Sequence, residues 1–230
     1  MEKLSYLKYS LQLIWTHWRE TKETYSQHGE DILVSHILGQ VDSFVEIGAN
    51  DGVLFSNCYK FAKAGARGLC LEPSSKSFWK LRLNHLPHRR VKCLKLAASD
   101  SSKKLFLEEA GYESVLSKVK PTFGEDLQKI QAVSMKDIWR KYPSFKNTDL
   151  LSIDVEGHEN EVLKGAGKEP LDAKVIILES DKSTEQEMLS MPCLSKHRVG
   201  FSNGINLLLV DKQLDFPMIK ELPEGFHRRI

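Results

Sequence analysis

The chain has 230 residues, of which 41% are hydrophobic, and 33 Lys and Arg against 31 Asp and Glu give a net charge of +2. That balance excludes a disordered segment, which pairs low hydrophobicity with high net charge, and argues against a dedicated nucleic-acid binder with a strongly basic face. No run reaches the roughly 20 apolar residues of a membrane-spanning helix, and a chain of this length buries a sufficient core without disulfides.

Leu4, Leu7, Leu11, Ile14 and Trp18 alternate three- and four-residue spacings, which predicts an N-terminal helix over residues 1–24 with one apolar stripe. Such a helix packs on its own domain; a homodimer contact or peripheral attachment to a membrane surface is the alternative use. The opening MEKLSYLKYS lacks the layout of a secretory signal. Cys58, Cys70, Cys93 and Cys193 form no CxxC pair, so neither a zinc ribbon nor a thioredoxin-type motif is present. A cytoplasmic protein with reduced thiols is the expectation.

From residue 43 short apolar runs alternate with helical stretches. Ser43–Ile47, Gly68–Leu71, Val91–Ala97, Leu150–Ile153 and Val175–Leu178 read as strands, and Leu54–Ala64, Lys76–Leu83, Met135–Arg140 and Glu159–Leu163 as helices. Near-continuous apolar strands between helices predict an α/β fold with a mostly parallel sheet covered on both faces. Residues 101–134 break the rhythm and read as an insertion, a hairpin with a loop closing over the site. Asn203-Gly204 between Arg198–Phe201 and Asn206–Val210 predicts a C-terminal antiparallel hairpin. The expected organisation is a helix at 1–24, one domain at 25–215 and a tail at 216–230.

The most informative stretch is Phe44-Val45-Glu46-Ile47-Gly48-Ala49-Asn50-Asp51-Gly52, a buried strand entering a turn. Its glycines are spaced G-x-x-x-G, which disfavours a dinucleotide fingerprint or a phosphate-cradling loop. Glu46 at the strand end is ill suited to a pyrophosphate and suits an ammonium or sulfonium charge. Glu72, 20 residues past Gly52, ends the next strand, where a carboxylate can accept hydrogen bonds from a ribose diol. An adenosine with a cationic amino-acid tail meets both demands, and S-adenosylmethionine is such a molecule.

Ser26-Gln27-His28-Gly29-Glu30-Asp31, the Glu46–Gly52 loop with Ser56-Asn57, Leu71-Glu72-Pro73, and Leu151-Ser152-Ile153-Asp154-Val155-Glu156-Gly157-His158-Glu159 with Val162-Leu163-Lys164-Gly165 resemble the FkbM-type methyltransferases. The resemblance runs from about residue 25 to 210. It implies a class I Rossmann-like methyltransferase fold and methyl transfer from S-adenosylmethionine, usually to a hydroxyl of a sugar, glycan or secondary metabolite. The first strand often ends in Asp in that family; Glu46 keeps the charge. Carried over by position, Glu46, Gly48, Ala49, Asn50, Asp51 and Gly52 surround the methionine part, and Glu72 with Pro73 the ribose. Ser99 or Asp100, after Ala98, meets the adenine amine or merely forms a turn. Ser26, Gln27 and Glu30 reach back over the cofactor, or cap the helix beginning near Asp31.

Asp154, Glu156 and His158 leave the fourth strand where a methyl acceptor belongs. A weakly acidic alcohol benefits from a base, and His158 titrates in the right range. Asp154 orients it or holds the methionine amine, with Glu156 serving either role; the competing reading has His158 packing on the following helix. Asp154, Glu156, His158 and Glu179 can also be read as ligands for a divalent cation, but nothing in the spacing demands one and no metal is assigned. His85, His88, Arg89 and Arg90, and His227, Arg228 and Arg229, form basic clusters that read as solvated surface, or as a site for an anionic acceptor. A methyltransferase of nucleic acid or protein, and a non-catalytic assembly module using the N-terminal helix, are the alternatives.

Overall fold

The computed structural model describes residues 14–108, 118–120, 127–180 and 185–229. Residues 14–19 are helical (α1); the rest of the expected N-terminal stripe lies outside the described residues. The main sheet contains β1 (Ser43–Ile47), β2 (Arg67–Leu71), β3 (Val91–Leu94), β8 (Leu150–Ile153), β9 (Val175–Glu179), β10 (His197–Ser202), β11 (Asn206–Asp211) and β12 (His227–Arg228). Their order is β12-β10-β11-β9-β8-β1-β2-β3. Parallel pairing runs from β3 through β9, and β11 is antiparallel to both β9 and β10.

Every residue of β1 and β8 is buried, as two-sided coverage of a parallel sheet requires. Val45, Ile47, Leu69, Leu71, Leu151 and Ile153 pack under α5 (Met135–Lys141) and α6 (Glu159–Ala166). Phe44, Cys70, Leu150 and Ile177 pack under α2 (Glu30–Leu38), α3 (Tyr59–Lys63) and α4 (Ser75–Asn84). β1 lies between β2 and β8, so the crossovers leave it on opposite sides. A crevice opens at that point outside the carboxyl ends of the strands, where ligands of such folds bind.

Two expected elements differ. Val91–Ala97 is not one strand: β3 stops at Leu94, and β4 (Ala97–Ser99) joins a second sheet ordered β4-β7-β5-β6, with β5 (Lys103–Glu108), β6 (Lys118–Lys120) and β7 (Gln128–Ser134). β4 lies close against α6, where Gly165 leaves room for the Ser99 carbonyl; a Cβ there would lie 2.1 Å from it. The described residues of the stretch read as an insertion are mostly strand, with β5 antiparallel to β6 and β7, and its residues 109–117 and 121–126 lie outside the described ones.

The helix expected over Leu54–Ala64 is only Tyr59–Lys63. Phe55 takes a left-handed φ of 59°, which interrupts a helix, and the Ser56 hydroxyl accepts the Tyr59 N–H (2.9 Å) to start it afresh. The predicted hairpin forms with Asn203 Oδ1 accepting from the N–H groups of Ile205 (3.0 Å) and Asn206 (2.6 Å). The segment expected as a tail lies on the molecule: Phe216, Ile219, Leu222 and Phe226 pack on the α2–α3–α4 side of the core, and β12 extends the sheet edge beside β10. Among the described residues no helix is long and apolar enough to cross a membrane.

Candidate active site

A cleft of about 330 Å³ opens at the carboxyl ends of β1, β2, β8 and β9. The loop after β1 enters it because Gly48 permits a crossing no side chain allows. Gly48 has φ +85°, and a Cβ there would lie 1.7 Å from the Asp154 carbonyl oxygen on the neighbouring loop. Gly52 (φ +77°) gives α4 the same close approach, since a Cβ there would meet Leu81 at 2.5 Å and His85 Nε2 at 2.9 Å. These two contacts explain both glycines of the G-x-x-x-G turn as backbone packing.

Glu46 stands in register with Cys70 on β2 and Ser152 on β8. It is 4% exposed; one carboxyl oxygen accepts the Ser56 hydroxyl at 2.8 Å, and the other is buried without a hydrogen-bond partner. Burial pushes this carboxyl up to about 7, against the pull of hydrogen bonds from Ser56 and from the backbone at Asn57 and Cys58. Asn57 donates to the Ser152 hydroxyl (3.0 Å), so the loop before α3 is fastened over the ends of β1 and β8. Glu72 is fixed differently. Its two oxygens accept the backbone N–H groups of Ser74 (2.7 Å) and Asn50 (2.9 Å), and Asn50 Oδ1 accepts the Ser77 hydroxyl (2.9 Å).

On the other side of the cleft the Asp154 and Glu179 carboxyls, at the ends of adjacent strands β8 and β9, lie close enough to shift each other's titration. Burial raises Asp154 to about 6, and Glu156, Glu159 and Glu46 add to the rise. Burial and then the Asp154 charge raise Glu179 to about 7. Glu159, at the start of α6, accepts the N–H groups of Val155 (3.0 Å) and Gly157 (3.2 Å). It thereby holds the turn in which Glu156 has φ 56°. Among the described residues no group of three or more His, Cys, Asp and Glu side chains is placed to hold a metal ion.

The cleft brings together Gln27, Glu46, Gly48, Ala49, Asn50, Glu72, Pro73, Asp154 and Glu156 of the residues singled out from sequence. Gln27 is positioned by its neighbours: Asp31 accepts from Thr24 Oγ1 (2.6 Å), the Tyr25 N–H (2.9 Å) and Ser26 Oγ (3.0 Å). Glu30 accepts from Asn206 (2.7 Å) near the hairpin turn. Ser26 and Glu30 thus anchor the segment, while α2 begins after Gly29 without a side-chain cap.

Five expected residues do not line the cleft. Asp51 turns back to accept the N–H groups of Val53 and Leu54, and Gly52 faces α4. Ser99 Oγ meets His158 Nε2 at 3.0 Å, and Asp100 pairs with Lys103. His158 therefore faces β4 and, on its other side, Glu161 (3.7 Å); burial lowers its pKa. The reason is its place directly before α6, whose packing on β4 turns the ring away from the strand ends. His158, expected as a base in the cleft, and Ser99 and Asp100, expected at the adenine, are thus not among the residues that line it.

Sequence reasoning did not single out Ser56, Asn57 and Ser152 as site residues, although all three lie within the quoted motifs. It also missed Leu54, Phe55 and Ile205 at the rim (47%, 43% and 46% exposed), and Leu96 and Leu107 on the wall. Glu179 was weighed only as a metal ligand. The polar, acidic end of an otherwise apolar β9 was the signal available for it.

Within the main sheet β3-β2-β1-β8-β9-β11-β10, with β11 reversed and the cleft at the switch point, is the Rossmann-like fold of the class I methyltransferases. The methyltransferase FkbM domain matches residues 46–202. The chain belongs to that family. Among curated proteins no sequence match is found. Similar solved structures include methyltransferase FkbM from Methylobacillus flagellatus KT, 15% identical with a TM-score of 0.48. The match covers 74% of this chain and 43% of that protein, so the chain spans less than half its length. An O-methyltransferase from Bacillus cereus, solved in complex with SAH, is 16% identical over 90% of this chain and 91% of its own, with a TM-score of 0.45. Precorrin-6y C5,15-methyltransferase from Geobacter metallireducens GS-15 is 12% identical, covering 83% and 92%, with a TM-score of 0.46.

Proposed function

We propose that this chain transfers a methyl group from S-adenosylmethionine to a hydroxyl of a sugar, glycan or secondary metabolite. The observation that carries the reading is the buried Glu46 carboxyl, one oxygen unpartnered, in a cleft whose described lining holds five acidic side chains and no Lys or Arg. A cation fits there and a phosphate does not. The residues suit the cofactor: Glu46 would hold the cationic amino-acid end, and Glu72, fixed by two backbone N–H groups, the ribose diol. Pro73, Leu96, Ala98 and Leu107 offer an apolar wall to the adenine. Bound S-adenosylmethionine supplies an electrophilic methyl group.

The chain's own residues supply the rest. Leu54, Phe55 and Ile205 screen the mouth from water and align an acceptor. Asp154, raised toward neutrality by burial, can take the acceptor's proton as its oxygen gains the methyl group, because a base works best with a pKa near the working pH. Glu179 stands beside that carboxyl and shifts its titration. The cation-free lining also favours an uncharged acceptor over a phosphorylated one or a nucleic acid.

Calorimetric titration with S-adenosylmethionine tests the cofactor assignment. We expect saturable binding, weakened at least about tenfold by Glu72→Gln, a loss of the size expected for a charged hydrogen-bond partner. Absence of binding at millimolar cofactor would overturn it. With labelled cofactor and a panel of neutral glycans and hydroxylated metabolites, Asp154→Asn is expected to abolish transfer while cofactor binding persists.

A further inference from the structure

We propose that the face built on α4 and the turn after it docks on an anionic lipid surface. Residues 59–96 contain ten Lys and Arg and one acid, Glu72, which is buried in the cleft. This stretch carries +9 of a chain whose total is +2, so the remainder carries −7. The near-neutral composition hides a charge strongly segregated along the chain.

The basic face is also apolar. Trp79, Leu83 and Leu86 are 59%, 41% and 65% exposed; Trp79 and Leu83, four apart, share one face of α4, and Leu86 stands in the turn that follows it. Cations sit among them: the Arg82 guanidinium lies over the Trp79 ring at 5.4 Å, and Arg82, Leu86, Arg89 and Lys92 border one surface depression. α1 is fastened to the end of α4 by Trp18 Nε1, which donates to the Asn84 carbonyl (3.0 Å). Its Trp15, 54% exposed, has Arg19 stacked on it at 4.3 Å.

Protruding Trp and Leu side chains among Lys and Arg match the interfacial layer of a bilayer, where apolar groups enter the acyl boundary and cations meet anionic headgroups. A nucleic acid would satisfy the cations and leave Leu83 and Leu86 without a role. The proposal does not depend on the methyl-transfer reading, because none of these residues lines the cleft.

Co-sedimentation of the full chain with vesicles tests it, using phosphatidylcholine alone and phosphatidylcholine with about one-third phosphatidylglycerol. Binding is expected only to the anionic vesicles, with a fall as salt rises and a blue shift of Trp fluorescence. Trp79→Ser/Leu83→Ser/Leu86→Ser and, separately, Arg82→Glu/Arg89→Glu are each expected to lower partitioning at least about tenfold with unchanged thermal melting. If one variant fails to fold, the other decides. Wild-type binding by the folded variants, equal binding to neutral vesicles, or no vesicle binding by the full chain overturns the proposal. An RNA probe that displaces the vesicles and still binds the triple Ser variant overturns it in favour of nucleic acid.

Discussion

Replacing Glu46 by Gln keeps the size of the side chain and removes its charge. In the wild type, burial lifts the carboxyl from 4.5 to about 7. An acid whose folded pKa lies above its unfolded one contributes stability that is fully present below the unfolded pKa and is lost as pH rises through the folded one. At about 1.4 kcal/mol per pKa unit, the ionised residue costs the wild type about 3 kcal/mol by about pH 8, and most of that loss falls between about pH 5 and 8. Gln does not titrate. Urea denaturation followed by Trp fluorescence should therefore show the variant gaining about 2–3 kcal/mol on the wild type across that range, whatever constant offset the new amide introduces. A difference between the two proteins that stays level with pH would refute the reasoning. The same variant should lose affinity for S-adenosylmethionine, and the wild-type affinity should rise with pH through about 7 as the anion forms. A carboxyl held ready for a cation in this way costs stability until the ligand arrives.

Gly48→Ala should prevent folding or cost well over about 3 kcal/mol, since its Cβ would meet the Asp154 carbonyl in a left-handed conformation; calorimetric melting near the wild-type temperature would contradict this. His158→Gln should leave turnover within about threefold, because the ring faces Ser99, whereas loss of a general base costs about a hundredfold or more. Asp149→Ala removes the acceptor of the Asp42 and Ser43 N–H groups (2.8 and 2.9 Å) and should cost about 2–3 kcal/mol in denaturant titrations. Burial raises the Asp149 carboxyl, but Lys174 and those N–H groups outweigh it and hold the pKa below 3.8. The wild-type advantage is thus present above about 3.8 and should shrink as pH falls further.

Much of the fold was legible because parallel strands announce themselves locally. Ser43–Ile47, Leu150–Ile153 and Val175–Leu178 are apolar runs bounded by turns, and burial on both faces of a sheet demands that pattern. Asn203-Gly204 named its hairpin for an equally local reason, the side chain and the left-handed glycine completing the turn. The split of Val91–Ala97 was not legible, since nothing within that run tells that Gly165, far along the chain, opens a place for Ser99.

For the site, the near-neutral composition says nothing of where charges lie: five acids line the cleft at the strand ends, and ten Lys and Arg fall within residues 59–96. Sequence alone determined the chemistry available at the carboxyl ends: Glu46, Glu72 and Asp154 close strands whose direction is fixed by parallel pairing. Tertiary structure decided which groups meet. Glu179 comes near Asp154 because β9 lies beside β8, and Gln27 enters the cleft because Asp31 gathers residues 24–26 around itself. His158 leaves the cleft because α6 packs against β4. Residue type and strand periodicity are local properties of the chain, but side-chain direction at a strand end depends on loop dihedrals and on neighbours distant in sequence. For that reason the places of Glu46 and Glu72 on the cleft could be read from the residues, and those of Glu179 and His158 only from their assembly.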